Sequence, residues 1–178
     1  MAIIKPNNNT LSSITALPTG LGGKVLQVVQ ATKTNIFSST STSYVDITDY
    51  NVAITPSSSS NKVLIQGFLT LSGNVWNTPG AYFQLVRGST NILTSSGSSN
   101  NGTFVFAHEA GSENASMKGT SPCHFSFLDT PSTTSSTTYK VQGKTGTGSN
   151  GQFAVNYVLQ QGGNFTGTSS IIAMEISA

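Results

Sequence analysis

The clearest periodicity in the chain runs over residues 62–72. Val63, Ile65, Gly67, Leu69 and Leu71 fall on one face there, and Leu64, Gln66, Phe68 and Thr70 on the other. A repeat of two is that of an extended strand, whose side chains alternate between the faces of a sheet. Shorter apolar runs recur at residues 25–31, 44–47, 52–55, 81–86, 92–94, 104–107, 123–128, 138–143, 153–159 and 170–176. Polar text separates them. Thr48, Asp49, Tyr50 and Asn51 are expected to turn the chain between two strands, and Pro56 with the four serines 57–60 forms a loop. Residues 87–91, Arg-Gly-Ser-Thr-Asn, carry the short Gly/Asn/Ser signature of a hairpin. No stretch of a dozen residues has a helical period. About eight to ten short strands at this spacing predict an all-β domain, an antiparallel β-sandwich of jelly-roll-like type.

One property of these strands is unusual. Several are apolar on both faces, whereas an antiparallel sheet with one solvated face should alternate cleanly. The second apolar face calls for a partner.

Residues 1–23 follow a different rule. They hold Pro6, Pro18, three successive asparagines and the sequence Gly20-Leu21-Gly22-Gly23, yet Ile3, Ile4, Leu11, Ile14, Leu17 and Leu21 are spread irregularly through them. That is too apolar for a solvated tail and too irregular for an amphipathic helix. The expected organisation is an extended N-terminal arm with a glycine hinge at 1–23, followed by the sandwich at 24–178. The arm's apolar residues, with Pro6, are expected to lie across a neighbouring protein.

Composition sharpens the picture. Charged residues make up 8% of the chain, against about 25% in an ordinary soluble domain. Ser, Thr and Asn, at 27, 24 and 15 residues, replace them. These types stay hydrated without charge, and they compete for the backbone inside helices. The net charge of +2 comes from scattered lysines rather than a basic patch, so nucleic acid is not an expected partner. A single cysteine, Cys123, excludes an internal disulfide. The first residues hold no apolar signal core and no run is long enough to span a membrane, which points to synthesis in a cytoplasm.

A search for catalytic chemistry finds little. The histidines are His108 and His124. Cys123 adjoins His124, but neighbours on a strand point to opposite faces, which argues against a Cys–His pair. Glu109 with Glu113 and Asp46 with Asp49 are loosely spaced acids, without the support that a glycosidase pair needs. No His, Cys or carboxylate cluster has metal-ligand spacing. Residues 20–24, Gly-Leu-Gly-Gly-Lys, lead into Val25 and a strand, where a phosphate loop needs Ser or Thr and a helix. The chain is therefore expected to have no catalytic, cofactor or metal site and not to be an enzyme. Trp76, in a loop-like segment, is a candidate exposed interface anchor or sugar platform. Arg87 is expected to be a solvated turn residue.

Three passages resemble a known family. These are Gly22-Gly23-Lys24-Val25-Leu26-Gln27-Val28-Val29-Gln30, then Tyr44-Val45-Asp46-Ile47, then residues 52–65 from Val52 through Pro56 and the serines to Ile65. Together with the hairpin text at 83–90 and Phe127-Leu128-Asp129-Thr130-Pro131, they are similar to small structural proteins of tailed phages, notably aquatic and cyanobacterial ones. The resemblance covers nearly all of residues 22–178 and says least about the arm. It implies a β-sandwich head on the virion surface, commonly trimeric, with no catalytic residues. For such a protein a closed homotrimer would cover the second apolar face economically. Two roles follow. One is a capsid cement or decoration protein made in the host cytoplasm, its arm lying on major capsid proteins. The other is the head of a tail fibre or tailspike that binds a host-surface glycan. The short length favours the first.

Overall fold

The computed structural model describes residues 24–74, 80–93, 102–106, 120–146, 151–158 and 166–178. Within them the chain forms β1 (Val25–Lys33), β2 (Phe37–Ser39), β3 (Val45–Ile54), β4 (Lys62–Asn74), β5 (Ala81–Arg87) and β6 (Thr90–Leu93). β7 (Phe104–Phe106), β8 (Ser121–Asp129), β9 (Thr137–Thr145), β10 (Gln152–Val155) and β11 (Ser169–Ile176) follow. Every strand pairing is antiparallel. The expected arm at 1–23 and Trp76 lie outside the described residues, as do His108, Glu109 and Glu113.

Several strands are pieces of longer ribbons. β10 and β11 lie in line on one edge of β4, since Val155 stands opposite Leu71 and Ser170 opposite Phe68. β8 runs along the other edge of β4. β1 and β2 continue one another in the same way beside β11 and β10, and β6 and β7 share one edge of β5, opposite β9. Merged so, the chain makes eight ribbons: β1/β2, β3, β4, β5, β6/β7, β8, β9 and β10/β11. One sheet orders them first, eighth, third, sixth. The second orders them second, seventh, fourth, fifth. Nested pairing of early with late ribbons across two sheets is the jelly-roll wrap. The expected fold class is therefore observed, and the structure makes the jelly-roll topology explicit.

Alternation drives the assembly of the two layers. In β4, Val63, Ile65, Leu69 and Leu71 are buried, and β3 contributes Ile47, Tyr50, Val52 and Ile54. Phe83 of β5 meets Phe153 edge-on at 5.2 Å and stacks on Phe104 at 5.1 Å, which in turn stacks on Phe125 at 5.6 Å. Such pairs add to the area they remove from water. Gly67 sits within this array, where a Cβ would stand 2.1 Å from Phe125 Cζ and 2.7 Å from the Tyr50 hydroxyl. Only glycine lets both rings close over β4 there. Gly88 turns the β5–β6 hairpin with φ of 59°, the left-handed conformation that glycine adopts without steric cost.

Three local expectations need correction. Thr48–Asn51 does not separate two strands: β3 is continuous, and residues 47–50 stand opposite Val141 alone. Asp49 takes φ of 60° inside this bulge. The distortion drives Tyr50 into the core, where its hydroxyl lies 2.8 Å from the Ser170 carbonyl and 3.2 Å from that of Phe68. The apolar run at 153–159 breaks after Val155, because Asn156 adopts φ of 61° and is fully buried. Its side-chain amide donates to the carbonyls of Lys33 and Asn35, where the β1/β2 ribbon kinks, and accepts from Ser169 Oγ. One side chain thus satisfies two backbone carbonyls at the β1/β2 kink and ties them to the Ser169 hydroxyl of β11. Arg87 is the third, and belongs to the polar clusters below.

Candidate functional site

The outer face of the first sheet carries the feature that the sequence pattern foreshadows. Val28 stands opposite Met174, Met174 opposite Leu64, and Leu64 opposite Leu128. These four form one row across four strands, all pointing away from the core. Ile176 and Val25 extend it at one end, with Lys62 at the margin. Val25 is 54% exposed, Leu26 47%, Val28 59% and Leu128 47%. The row is thus an apolar stripe in contact with water, and it includes no charged side chain.

The next two rows differ in chemistry. Gln30, Ile172, Gln66 and Ser126 make one, and Thr32, Ser170, Phe68 and His124 the other. The small Ser126 and Ser170 leave an open depression of about 460 Å³, lined by Gln66, Phe68, His124, Ser126, Ser170 and Ile172. The Phe68 and His124 rings lie 4.9 Å apart, tilted by 30°, and pack against one another as a cross-strand aromatic pair.

Polar groups elsewhere are occupied structurally. Arg87 is not a solvated turn residue. Its Nη1 donates to both carboxylate oxygens of Asp129 at 2.9 and 2.8 Å, and Tyr139 Oη donates to Asp129 Oδ2 at 2.7 Å. Asp129 ends β8 in one sheet, whereas Arg87 and Tyr139 belong to the other, so the cluster fastens the layers together. Burial first, and the neighbouring carboxylate second, push the Tyr139 phenol far above its usual range. Glu175 is buried, yet its Oε1 accepts from Asn61 Nδ2 at 2.6 Å and from Ser57 N and Oγ at 2.7 Å each. These donors, Asn61 foremost, hold its carboxyl below the ordinary value of 4.5. They also tie the serine-rich loop before β4 to β11.

Of the acids considered for sugar chemistry, Asp46 and Asp49 are similarly engaged. Asp46 accepts from Lys140 Nζ and Gln142 Nε2, each at 2.8 Å, and Asp49 accepts from Asn35 Nδ2 at 2.7 Å. Lys33 is buried, its Nζ 2.5 Å from Asn35 Oδ1 and 6.0 Å from the Phe37 ring centroid. Desolvation lowers its pKa, partly opposed by Asp49.

Cys123 and His124 point to opposite faces, as strand alternation requires. Cys123 packs against the core, where burial pushes its thiol up to about 11; His124 faces outward. Among the described residues no group of three His, Cys, Asp or Glu side chains could hold a metal ion. The arm residues Ile3, Ile4, Pro6, Leu11, Ile14, Leu17 and Leu21 lie outside the described residues. So does Trp76, and neither can be placed beside the stripe. The depression is the feature that sequence reasoning missed. Its signal was Phe68 and His124 on the outward parity of two strands, and the pairing of β4 with β8 was needed to bring them together.

The geometry defines a jelly-roll sandwich with an unusually apolar outer face. Compared with solved structures, the chain is similar to the infectious bursal disease virus VP2 subviral particle, at 16% identity and a TM-score of 0.38 over 84% of this chain. It is similar also to the Gt strain of that virus, at 19% identity and 0.38 over 85%. Particles of T=1 type derived from the virus give 18% and 0.37 over 85%. The chain spans less than two-fifths of the length of each, 38%, 38% and 36% respectively, and a likeness at these scores carries no inference about role. No protein-family model matches the chain, and no curated protein does.

Proposed function

We propose that this chain is a structural virion protein, a capsid cement or decoration protein that self-associates through the outer face of its first sheet. The observation that carries the reading is the apolar row Val28, Met174, Leu64 and Leu128 on the outer face of the first sheet, its two ends about half exposed. The jelly roll is an architecture of viral capsid and lectin domains. The occupant of the row is a second copy of the chain. A stripe without charge can face its own image around a symmetry axis without like-charge repulsion, and the edge strand β1 presents Val25, Leu26 and Val28 beside it. A closed homotrimer would hide these side chains on every protomer. Residues 1–23, with their six large aliphatics, would then reach major capsid proteins. Three linked arms would bind far more tightly than one, because each bound arm raises the local concentration of the others.

Two measurements test this. Sedimentation of the purified protein should give a trimer, and the pair Val28→Ser with Leu128→Ser should dissociate it. Each of those side chains is about half exposed, so burying the remainder is worth roughly 1 kcal/mol apiece. About 2 kcal/mol per contact corresponds to roughly 30-fold weaker association. A monomeric wild-type protein at high concentration, or a double variant that remains trimeric, would reject the interface. Deleting residues 1–21 should leave a folded head that no longer decorates capsids. Full decoration by the truncated chain would reject the arm's role. Hundreds of copies per virion fit cement, whereas a handful fit the tail.

A further inference from the structure

The depression on the outer face has a chemistry that the apolar row lacks. Six outward residues from three strands form a small grid: Ile172, Gln66 and Ser126 in one row, Ser170, Phe68 and His124 in the next. The large side chains Ile172 and His124 stand at opposite corners, and the small serines at the other two. The hollow of about 460 Å³ between them is open to solvent, and falls within the range of roughly 300–1,000 Å³ that small-molecule sites occupy.

We propose that this depression binds a neutral sugar ring. A pyranose offers a patch of C–H groups on its face and hydroxyls around its edge. The paired Phe68 and His124 rings, 4.9 Å apart, supply an aromatic surface for the first. The Gln66 amide, with an acceptor and two donors, and the hydroxyls of Ser126 and Ser170 supply partners for the second. None of these three polar side chains makes a side-chain hydrogen bond to another described residue. Gln66, His124 and Ser126 are exposed.

Other ligand classes fit less well. An apolar peptide segment would cover the Gln66 amide and the serine hydroxyls without satisfying them, which costs about 1–3 kcal/mol per buried orphan group. A nucleotide could stack on the rings, but its phosphate would want a cation. The lysine on this face of β4, Lys62, is four residues from Gln66, roughly 13 Å along a strand. Among the described residues an anionic sugar lacks a neighbouring lysine or arginine for the same reason. What remains is an uncharged hexose or N-acetylhexosamine, held by stacking and by amide and hydroxyl contacts.

The test uses the full-length protein in solution and does not depend on capsids, so its failure is distinct from failure of the cement reading. Methyl glycosides of glucose, galactose, mannose and N-acetylglucosamine are titrated to about 50 mM while amide resonances are followed. Weak, millimolar affinity is normal for one ring in an open site. At least one sugar should shift the signals of Gln66, Ser126, Ser170 and the His124 ring together. Gln66→Ala should weaken that binding about tenfold, the equivalent of one good polar contact. Phe68→Ala should do likewise. Ser126→Leu fills the hollow from an exposed position without touching the core, and should abolish binding while leaving the melting temperature unchanged. Absence of localised shifts with every sugar overturns the proposal, as does binding that survives Ser126→Leu. If Ser126→Leu instead dissociates the oligomer and no sugar binds, the depression is a subunit contact and the proposal is wrong.

Discussion

Replacing Asp129 with Ala should remove a polar tie between the two sheets. In the native protein the carboxylate accepts from Arg87 Nη1 through both oxygens and from the Tyr139 hydroxyl at 2.7 Å. The consequences for the two donors differ. Tyr139 is fully buried, so its hydroxyl would be left without a partner, at a cost of about 1–3 kcal/mol. The Arg87 side chain keeps 29% of its surface exposed. Its charge can turn to water, and its share belongs near the value of about 1 kcal/mol or less measured for solvated pairs. Together these give roughly 2–3 kcal/mol, below the 3–5 kcal/mol or so seen when a fully buried pair is broken.

Urea unfolding followed by circular dichroism would read this as a lower midpoint at constant slope. The thermal midpoint should fall by about 5–10 °C, from roughly 2–4 °C per kcal/mol in a chain of this size. Tyr139→Phe alone should cost only about 1 kcal/mol, because Asp129 retains Arg87. The double variant should be no worse than Asp129→Ala, since the orphaned hydroxyl has gone with its acceptor. That non-additivity, about 1–2 kcal/mol of coupling, is the signature of a shared network. A loss below about 0.5 kcal/mol for Asp129→Ala, or additive single effects, would refute the account of the cluster as a cross-sheet tie.

Other expectations follow from single sites. Gly67→Ala should destabilise by about 1–3 kcal/mol through overpacking against Phe125 and Tyr50, and Phe125→Leu in that background should recover part of the loss in calorimetry. Glu175 has a depressed pKa in the folded state, so its contribution is fully present above the ordinary value of 4.5 and disappears as pH falls through the folded value. Stability measured in urea should therefore drop in acid, and Glu175→Gln should flatten that drop while lowering stability at neutral pH. Cys123, with its thiol pushed up to about 11 by burial, should react with a disulfide reagent at pH 8 at least about tenfold more slowly than after unfolding, because thiolate is the reacting form. Equal rates would show that the thiol is open.

Much of the fold was legible because its strands obey a period of two that no local signal contradicts. The apolar residues of β8 and β9 fall largely on the parity that the sheet buries, whereas β4 and β11 are apolar on both parities. What stayed hidden was decided by tertiary contacts. Thr48-Asp49-Tyr50-Asn51 has turn composition, and locally it does bend the chain, but pairing with β9 resumes on its far side. Asn156 sits in an apolar run and gives no warning that it will take φ of 61° and cap the kink between β1 and β2. Arg87 follows its hairpin logic, yet the acid that claims it lies 42 positions later. The candidate site divides the same way. The surplus apolar face could be read from the parity of Leu64, Ile172 and Met174. The order of the strands was needed to join Val28 and Leu128 into one row, and to place Phe68 beside His124.

The sparse charge of the chain bears on both proposals. A Ser/Thr/Asn surface binds water through groups that are neither attracted nor repelled at long range. Copies packed side by side would therefore meet little of the self-repulsion that a charged surface accumulates. Several charges among the described residues are paired within the chain: Arg87 with Asp129 between the sheets, Lys140 with Asp46 on the second sheet, Glu175 beneath the serine loop. Apart from Lys62 at its margin, the described part of the outer face offers hydrophobic area and hydroxyl or amide contacts for recognition. In the proposed assembly, subunit contact falls to the apolar row and sugar contact to the rows beside it, and neither depends on steering by charge. A surface of this kind gives up fast electrostatic association. It retains contacts whose strength varies little with ionic strength, since no exposed ion pair is there to be screened.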